Sequence, residues 1–193
     1  MKEFKNNIAF DLGASNCRIY KGGKQILNFR SEVIINGRTI SQIFQNGKIA
    51  NFQATEFLLQ KRIKEIQKPI LGFLYPSFTA LISVPSEKNE VSLRAFRDAL
   101  RFVGAKTVYM LSDCFIAASG LGINIPKSTY MIVDSGAGKT SITTATGYKI
   151  IKNDMLDICG NSFNEAIKTH ISIKHGITVK NETIESIKKD MQI

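Results

Sequence analysis

A repeated unit constrains the fold of this chain more than any other feature of its sequence. The segments NIAFDLGASNCRIYKGGKQI and YMIVDSGAGKTSITTATGYKII share one order of features: an apolar strand, Asp-x-Gly, a second strand, a glycine turn and a third strand. Asp11-Leu-Gly13 in the first segment matches Asp134-Ser-Gly136 in the second, and Gly22-Gly23 matches Gly147. We therefore predict two copies of one supersecondary unit.

The tips of the two predicted hairpins favour phosphate binding. In each copy a carboxylate lies at a strand end, and a glycine permits a tight turn at low steric cost. Exposed N–H groups at such a tip can form an anion-binding nest. Two tips that face each other would hold a polyphosphate from both sides, with Asp11 and Asp134 placed to hold Mg²⁺ mostly through its waters. A single Asp-x-Gly turn would be ordinary, so the prediction depends on the matched pair.

The predicted phosphate-binding residues lie within the two tips. Side-chain donors are available from Ser15, Asn16 and Thr140. The full set is Gly13, Ala14, Ser15, Asn16, Gly136, Ala137, Gly138, Lys139 and Thr140.

The second tip also resembles the end of a Walker loop, through Gly138-Lys139-Thr140. That loop requires a glycine at the position of Val133, and it must open a helix whose N-terminus faces the phosphates. The following residues, TSITTATGYKII, are rich in β-branched side chains and predict strand, turn and strand. A Walker loop is therefore disfavoured.

The composition is that of an ordinary globular protein. The chain has 193 residues, of which 44% are hydrophobic and 22% charged. No apolar run reaches the ~20 residues of a membrane span, and the N-terminal sequence MKEFKNNIAFDLG does not have the pattern of a signal peptide. Three cysteines without C-x-x-C spacing are typical of reduced thiols in a cytosol.

The net charge of +10 does not by itself predict a nucleic-acid partner. Its lysines are spread along the chain, without a dense basic run that interleaves with aromatic residues. We expect no specific nucleic-acid binding, although the charge would favour an anionic membrane surface.

Strands alternate with helices along the chain, which predicts an α/β fold. Asn51 is the expected N-cap of a first long helix, and Ser86 or Asn89 that of a second. The segment 38–50 is polar, and we predict that it has no regular secondary structure. The best boundary lies at 122–127, so that we divide the chain into residues 1–127 and 128–193.

The chain resembles the actin superfamily and, within it, the MreB family of bacterial actins. FDLGASN is similar to the family's first phosphate loop, DLGTAN, and VDSGAGKTS to the second, DIGGGTTE. CGNSFNEAI is similar to GGDKFDEAI, and GKIANFQATEFLL to the start of the family's first long helix. The resemblance covers nearly the whole chain, in the order that the family has.

The resemblance implies an actin-like, ribonuclease H-like fold of two α/β lobes. Residues 1–127 would form the first lobe (subdomain IA), with subdomain IB reduced to a loop near 36–48. Residues 128–193 would form part of the second lobe (subdomain IIA). The final TIESIKKDMQI resembles the helix that leads into subdomain IIB, so that this subdomain and the C-terminal part would be missing.

The resemblance also implies ATP and Mg²⁺ between the lobes, with Glu185 and Lys188 near ribose and base. Asp113 stands where the family has a glutamate that orients the attacking water. Asp is one methylene shorter, and a shift of ~1 Å can cost ~10²-fold in rate, so that the chain would be a weak ATPase or none. Asp113 could equally cap the next helix. Lys139 could reach the γ-phosphate or point to solvent.

Several functions remain open at this point. The first is a shortened cytoskeletal ATP-binding protein of the cytoplasm that forms or joins filaments in cell-shape maintenance. The second is a non-hydrolysing half-actin that caps or regulates a full-length actin homologue. A third hypothesis is a chaperone-like or kinase-like member of the same fold. A fourth is a truncated gene product with no independent role. Met1 and Phe4 could insert into the inner membrane surface.

Overall fold

The computed structural model describes residues 6–70, 72, 74–87 and 89–191. Within these residues it contains strands, helices and one short 3₁₀ turn, Ile125–Lys127. The strands are β1 (Asn7–Leu12), β2 (Asn16–Lys21), β3 (Lys24–Arg30), β4 (Val33–Ile35), β5 (Arg38–Ile40), β6 (Phe44–Gln45), β7 (Lys48–Ile49), β8 (Phe78–Val84), β9 (Ala105–Ser112), β10 (Thr129–Ser135), β11 (Thr140–Thr146) and β12 (Lys149–Leu156). The helices are α1 (Phe52–Ile66), α2 (Glu90–Phe102), α3 (Asp113–Gly120), α4 (Gly160–His175) and α5 (Asn181–Asp190).

The larger sheet has five strands in the order β3-β2-β1-β8-β9. Strands β1, β2 and β3 form an antiparallel meander, whereas β8 and β9 join in parallel. Alternation along β1 buries Ile8, Phe10 and Leu12, and these pack in one core with Leu58 of α1 and Leu100 of α2. Because β1, β8 and β9 run in parallel, their carboxyl ends lie at the same edge of the sheet.

The predicted caps of the two long helices are partly confirmed. The Asn51 side chain accepts a hydrogen bond from the N–H of Ala54 at 2.9 Å, and Asn89 accepts one from Ser92 at 3.0 Å. Each satisfies one of the free donors in a first helical turn. Ser86, the other predicted cap for α2, makes a different contact and belongs to the site described below.

The smaller sheet is the second copy of the repeat, with strand order β10-β11-β12. Its Tyr130, Ile132 and Ala145 pack against Cys114 and Ala118 of α3 in a separate core. Asp11 is the second-last residue of β1 and Asp134 the second-last of β10. The predicted repeat is thus confirmed, and Thr140 begins a strand rather than the helix that a Walker loop would need.

The prediction that residues 38–50 are irregular was wrong. This segment forms β5, β6 and β7, which with β4 make two short hairpins. The turns are Asn36-Gly37 and Asn46-Gly47, in which all four residues have positive φ, between 49° and 75°. Asn-Gly pairs favour such two-residue hairpin turns. These small hairpins occupy the place of the loop predicted near 36–48.

No helix among the described residues is both long and apolar enough to cross a membrane. The predicted division at 127/128 stays a prediction. Met1 and Phe4, predicted to touch a membrane, lie outside the described residues.

Candidate functional site

A cavity of about 710 Å³ lies between the tips of the two repeated hairpins. Its lining includes eight of the nine residues predicted to bind phosphate: Gly13, Ala14, Ser15, Asn16, Gly136, Ala137, Gly138 and Lys139. Asp11, Asp113 and Asp134 line the same cavity. The structure therefore brings together the two tips and all three predicted acidic residues.

Thr140 is the exception among the predicted phosphate-binding residues. It is buried, and its hydroxyl donates a hydrogen bond to the carbonyl of Ile158 at 2.5 Å. This bond holds the start of β11 to the segment between β12 and α4. The side chain thus stabilises the base of the second tip and does not line the cavity.

The first tip is a tight turn that tolerates little beyond glycine. The N–H of Gly13 donates to the carbonyl of Asn16 at 3.2 Å, and a Cβ on Gly13 would lie 2.6 Å from that carbonyl oxygen. Beneath the tip, the Ser31 hydroxyl donates to the Gly13 carbonyl and contacts the Cys17 thiol. Burial, before any other cause, raises the pKa of Cys17 to about 11.

The second tip is anchored on the N-terminus of α4. Within the tip, the N–H of Gly136 donates to the Lys139 carbonyl at 2.8 Å. The first free N–H groups of α4 then donate to the tip, Gly160 to Gly136 at 3.0 Å and Asn161 to Ala137 at 2.8 Å. Because these donors would otherwise lack partners, the helix fixes the tip's position.

The two tips meet at Ala14 and Gly138. A Cβ on Gly138 would lie 2.6 Å from the Cβ of Ala14 and 3.8 Å from the backbone nitrogen of Asn46. The Asn46-Gly47 turn also contacts the second tip, since a Cβ on Gly47 would lie 3.4 Å from the Cε of Lys139. A side chain at Gly138 would force the tips apart.

Lys139 binds Asp113. The sequence had predicted that this lysine either reaches the γ-phosphate or points to solvent, and neither prediction included this ion pair. The Lys139 Nζ lies 2.8 Å from the Asp113 Oδ2, and the two side chains are only 15% and 14% exposed. The other carboxylate oxygen accepts hydrogen bonds from the Ser86 hydroxyl at 2.7 Å and from the Cys114 N–H at 2.8 Å. Both oxygens of Asp113 are therefore already engaged by the protein.

Asp113 is the first residue of α3, and Ser112 holds the N-cap position. The Ser112 hydroxyl bonds to that of Ser86 at 2.6 Å instead of capping the helix. Ser86 thus links β9 and α3, a role that the sequence reading missed because it treated this serine only as a helix cap.

Arg18 is the second residue of the cleft that the sequence reading missed. It stands directly opposite Asp11 in the antiparallel pair of β1 and β2. Its Nη1 lies 2.8 Å from the Asp11 Oδ2, and both side chains are about two-fifths exposed, at 42% and 43%. The corresponding position opposite Asp134 in the second copy is Ser141.

Asp134 has no ion pair among the described residues. Its pKa is raised, first because the surrounding cleft partly desolvates the carboxyl and then because of the negative charges of Asp113 and Asp11; Lys139 opposes these effects. Although the side chain is exposed to solvent, these effects together favour its protonated form.

These surroundings fit Mg²⁺ poorly. Within the described parts of the chain there is no group of three or more His, Cys, Asp or Glu residues suited to a metal ion. Of the predicted contacts, Asp11 already holds the Arg18 guanidinium, and Asp134 has a raised pKa. The assignment of Mg²⁺ to Asp11 and Asp134 stays a prediction.

The predicted nucleoside contacts lie beside the second tip. Glu185 Oε2 accepts hydrogen bonds from Lys188 at 2.7 Å and from Asn164 at 3.0 Å, which joins α5 to α4. The Lys188 Nζ would lie 3.7 Å from a Cβ on Gly160, the first residue of α4. Their role toward a nucleoside stays a prediction.

The family model described as MreB/Mbl protein matches residues 37–193 of this chain. The chain belongs to the MreB/Mbl family. It is 30% identical to the cell shape-determining protein MreB of Escherichia coli (strain K12), over 97% of this chain and 62% of that protein. It is 29% identical to the cell shape-determining protein Mbl of Bacillus subtilis (strain 168), over 96% of this chain and 62% of that protein. This MreB/Mbl chain thus spans less than two thirds of the length of these relatives.

Solved structures confirm the actin-like fold. MreB5 of Spiroplasma citri bound to AMPPNP superposes with a TM-score of 0.84 at 23% identity, over 97% of this chain and 62% of that one. The MamK double helical filament gives a TM-score of 0.77 at 19% identity, over 96% of this chain and 65% of the other.

Proposed function

We propose that this MreB/Mbl-family protein binds ATP with its polyphosphate between the two hairpin tips, and that it forms or joins cell-shape filaments. The observation that carries the proposal is the meeting of two matched Asp-x-Gly tips at one cavity. Its volume, about 710 Å³, falls within the range of ~300–1,000 Å³ that is usual for ligand sites. Two MreB5 structures of the same fold were solved with AMPPNP and with ADP, which supports a nucleotide as the ligand.

The tips would hold the phosphates through backbone N–H groups, since such nests bind anions. Ser15 and Asn16 would add side-chain donors. Glu185 and Lys188 would contact the nucleoside, because they lie beside α4 next to the second tip. Asp11 and Asp134 stay the predicted contacts of Mg²⁺, but the Arg18 pair and the raised pKa of Asp134 both disfavour direct binding of the ion there.

Hydrolysis in this site would be weak. Orienting a water requires a lone pair of the Asp113 carboxylate, and Ser86, Cys114 and Lys139 already compete with water for its two oxygens. We propose Asp113 as the water-positioning residue only in those molecules in which Lys139 has moved away. An ATP-binding protein with little ATPase activity follows from this arrangement.

Calorimetric titration with ATP tests the phosphate site. Gly138→Ala places a methyl group 2.6 Å from Ala14, so that it should separate the tips and weaken ATP binding. Gly120→Ala is the matched control, because a Cβ there meets nothing within 4 Å. Equal ATP affinity in the Gly138→Ala, Gly120→Ala and unmodified proteins would refute binding between the tips, and so would the absence of binding to the unmodified protein.

A second candidate is a non-hydrolysing protein that caps or regulates an MreB-type filament. It is favoured by Met131 and Val133 of β10, which are 62% and 58% exposed, because exposed apolar patches mark interaction surfaces. The partner would be a second copy or a full-length actin homologue on the cytoplasmic side, and the net charge of +10 would favour an anionic inner membrane surface nearby.

Sedimentation distinguishes the filament candidates. Self-assembly predicts that the protein alone pellets with ATP, whereas the regulatory candidate predicts that it pellets only with full-length MreB or changes how much MreB pellets. The double variant Met131→Ser with Val133→Ser should abolish the observed sedimentation, with itself or with MreB, if the association uses this exposed face of β10. If neither the protein nor MreB changes its sedimentation, both filament roles are wrong.

A further inference from the structure

We infer that Arg18 and Lys139 supply in the cleft the positive charge that a divalent cation would otherwise bring, so that ATP binding depends little on Mg²⁺. The inference rests on the proposed function, since it concerns the same cleft. Two side-chain cations carry together the charge of one Mg²⁺, and both line the cavity between the tips.

Arg18 is a feature of this cleft and is not required by the hairpin. The second copy of the hairpin folds with Ser141 at the equivalent position opposite Asp134. In the first copy the guanidinium instead lies 2.8 Å from Asp11, at the carboxylate predicted to face Mg²⁺. Arginine keeps its charge at every physiological pH and binds phosphate oxygens in a bidentate manner. It can therefore hold either the carboxylate or a phosphate.

Lys139 provides the second cation from the opposite side of the cleft. Its Nζ lies 2.8 Å from the Asp113 Oδ2, and its stem lies beside the Asn46-Gly47 turn. The chain neighbours of Lys139 form the tip that would hold the phosphates. The ammonium has three donors, so that it can hold Asp113 and contact a phosphate oxygen at the same time, where it acts as a point charge.

The two pairs also limit what a divalent cation can gain here. Of the three acidic residues in the cavity, Asp11 and Asp113 each hold a cationic side chain. A metal ion must displace one of these cations or bind at Asp134 alone among the three. The two cations balance Asp11 and Asp113, so that they act on a phosphate only where they contact it together with their carboxylates. Those contacts would stay in place when Mg²⁺ is removed from ATP.

The test is the ATP affinity measured by calorimetry with excess Mg²⁺ and again with EDTA. The variants are Arg18→Ser, which copies the second hairpin, Lys139→Ala and the double variant. Lys152→Ala is the control, because it removes a cation from an exposed ion pair with Asp154 outside the cleft. Thermal unfolding of each variant verifies that it is folded, and tripolyphosphate in place of ATP isolates the phosphate contribution.

We expect the ATP affinity of the unmodified and Lys152→Ala proteins to fall by less than about tenfold in EDTA. In the folded double variant the fall should exceed that limit, with tripolyphosphate affinity lost in parallel. A larger fall in the unmodified protein would overturn the inference while leaving ATP binding intact, and equal Mg²⁺ dependence in the double variant would overturn it too. Absence of ATP binding in both conditions would refute the proposed function and this inference with it.

Discussion

The ammonium group of Lys139 lies 2.8 Å from the carboxylate of Asp113, and this pair joins the second hairpin tip to the first residue of α3. The two side chains come from segments 26 residues apart and are mostly buried. Asp113 also accepts hydrogen bonds from Ser86 and Cys114. A carboxylate held in this way stabilises the structure around the cleft, and Lys139 competes with any water for its Oδ2.

Replacing Lys139 should therefore increase ATP hydrolysis. In Lys139→Thr the Asp113 Oδ2 becomes free to accept a hydrogen bond from water, and positioned groups of this kind contribute ~10²–10⁴-fold to rate. Because aspartate is short for this role, we expect a rise of roughly tenfold in phosphate release at saturating Mg-ATP. The double variant Lys139→Thr with Asp113→Ala should lose the gain. A rise that persists without Asp113 would show that the carboxylate has no part in hydrolysis.

Removing the Ser86 hydroxyl should destabilise the protein moderately. Ser86→Ala deletes a donor to the mostly buried Asp113 and a partner of Ser112, and such losses cost about 1–3 kcal/mol in the free energy of unfolding. Because Asp113 Oδ1 still accepts the hydrogen bond from the Cys114 N–H, we expect a loss near the lower end of this range. Urea denaturation measures the change, and Ser119→Ala at an exposed position of α3 is the control. Equal stability of the two variants would contradict a structural role for Ser86.

The thiol of Cys17 should resist alkylation in the folded protein. Burial raises its pKa to about 11, so that almost no thiolate forms at pH 8, and only the thiolate reacts readily. Cys114 and Cys159 are buried as well. Mass spectrometry after iodoacetamide treatment should show at least about tenfold slower labelling of Cys17 in buffer than in urea. Rapid labelling of Cys17 in buffer would mean that the first tip opens frequently.

The sequence was sufficient to predict the features that depend on local pattern. The two Asp-x-Gly hairpins, their alternation of buried residues and the Asn51 cap all follow from short-range spacing, and the structure has them. The position of Arg18 could also be predicted from the sequence, because the register of an antiparallel hairpin places it opposite Asp11. The register alone does not show that this arginine also lines the cavity between the tips.

The contacts between distant segments could not be predicted in the same way. The sequence around Lys139 is equally compatible with a side chain that faces phosphate and one that faces solvent. Its actual partner, Asp113, depends on how α3 lies against the second tip. Ser86 has the side chain of a helix cap, yet Asn89 takes that role and leaves the serine for Asp113. The small hairpins at 36–48 were missed because their polar residues outweigh the signal of two Asn-Gly turns.

The charge of Asp134 should reduce stability near neutral pH. The pKa of this carboxyl is raised in the folded protein, chiefly by partial desolvation and then by Asp113, so that folding favours the protonated form. Stability is then lost as the pH rises from the unfolded pKa, about 3.9, through the higher folded pKa. Asp134→Asn, which stays neutral, should raise the melting temperature at pH 7, and the gain should shrink as the pH falls toward 4. Asp154→Asn, outside the cleft and paired with Lys152, is the control for loss of one negative charge. A gain for Asp134→Asn that is constant with pH, or matched by Asp154→Asn, would show that the cleft does not oppose the charge of Asp134.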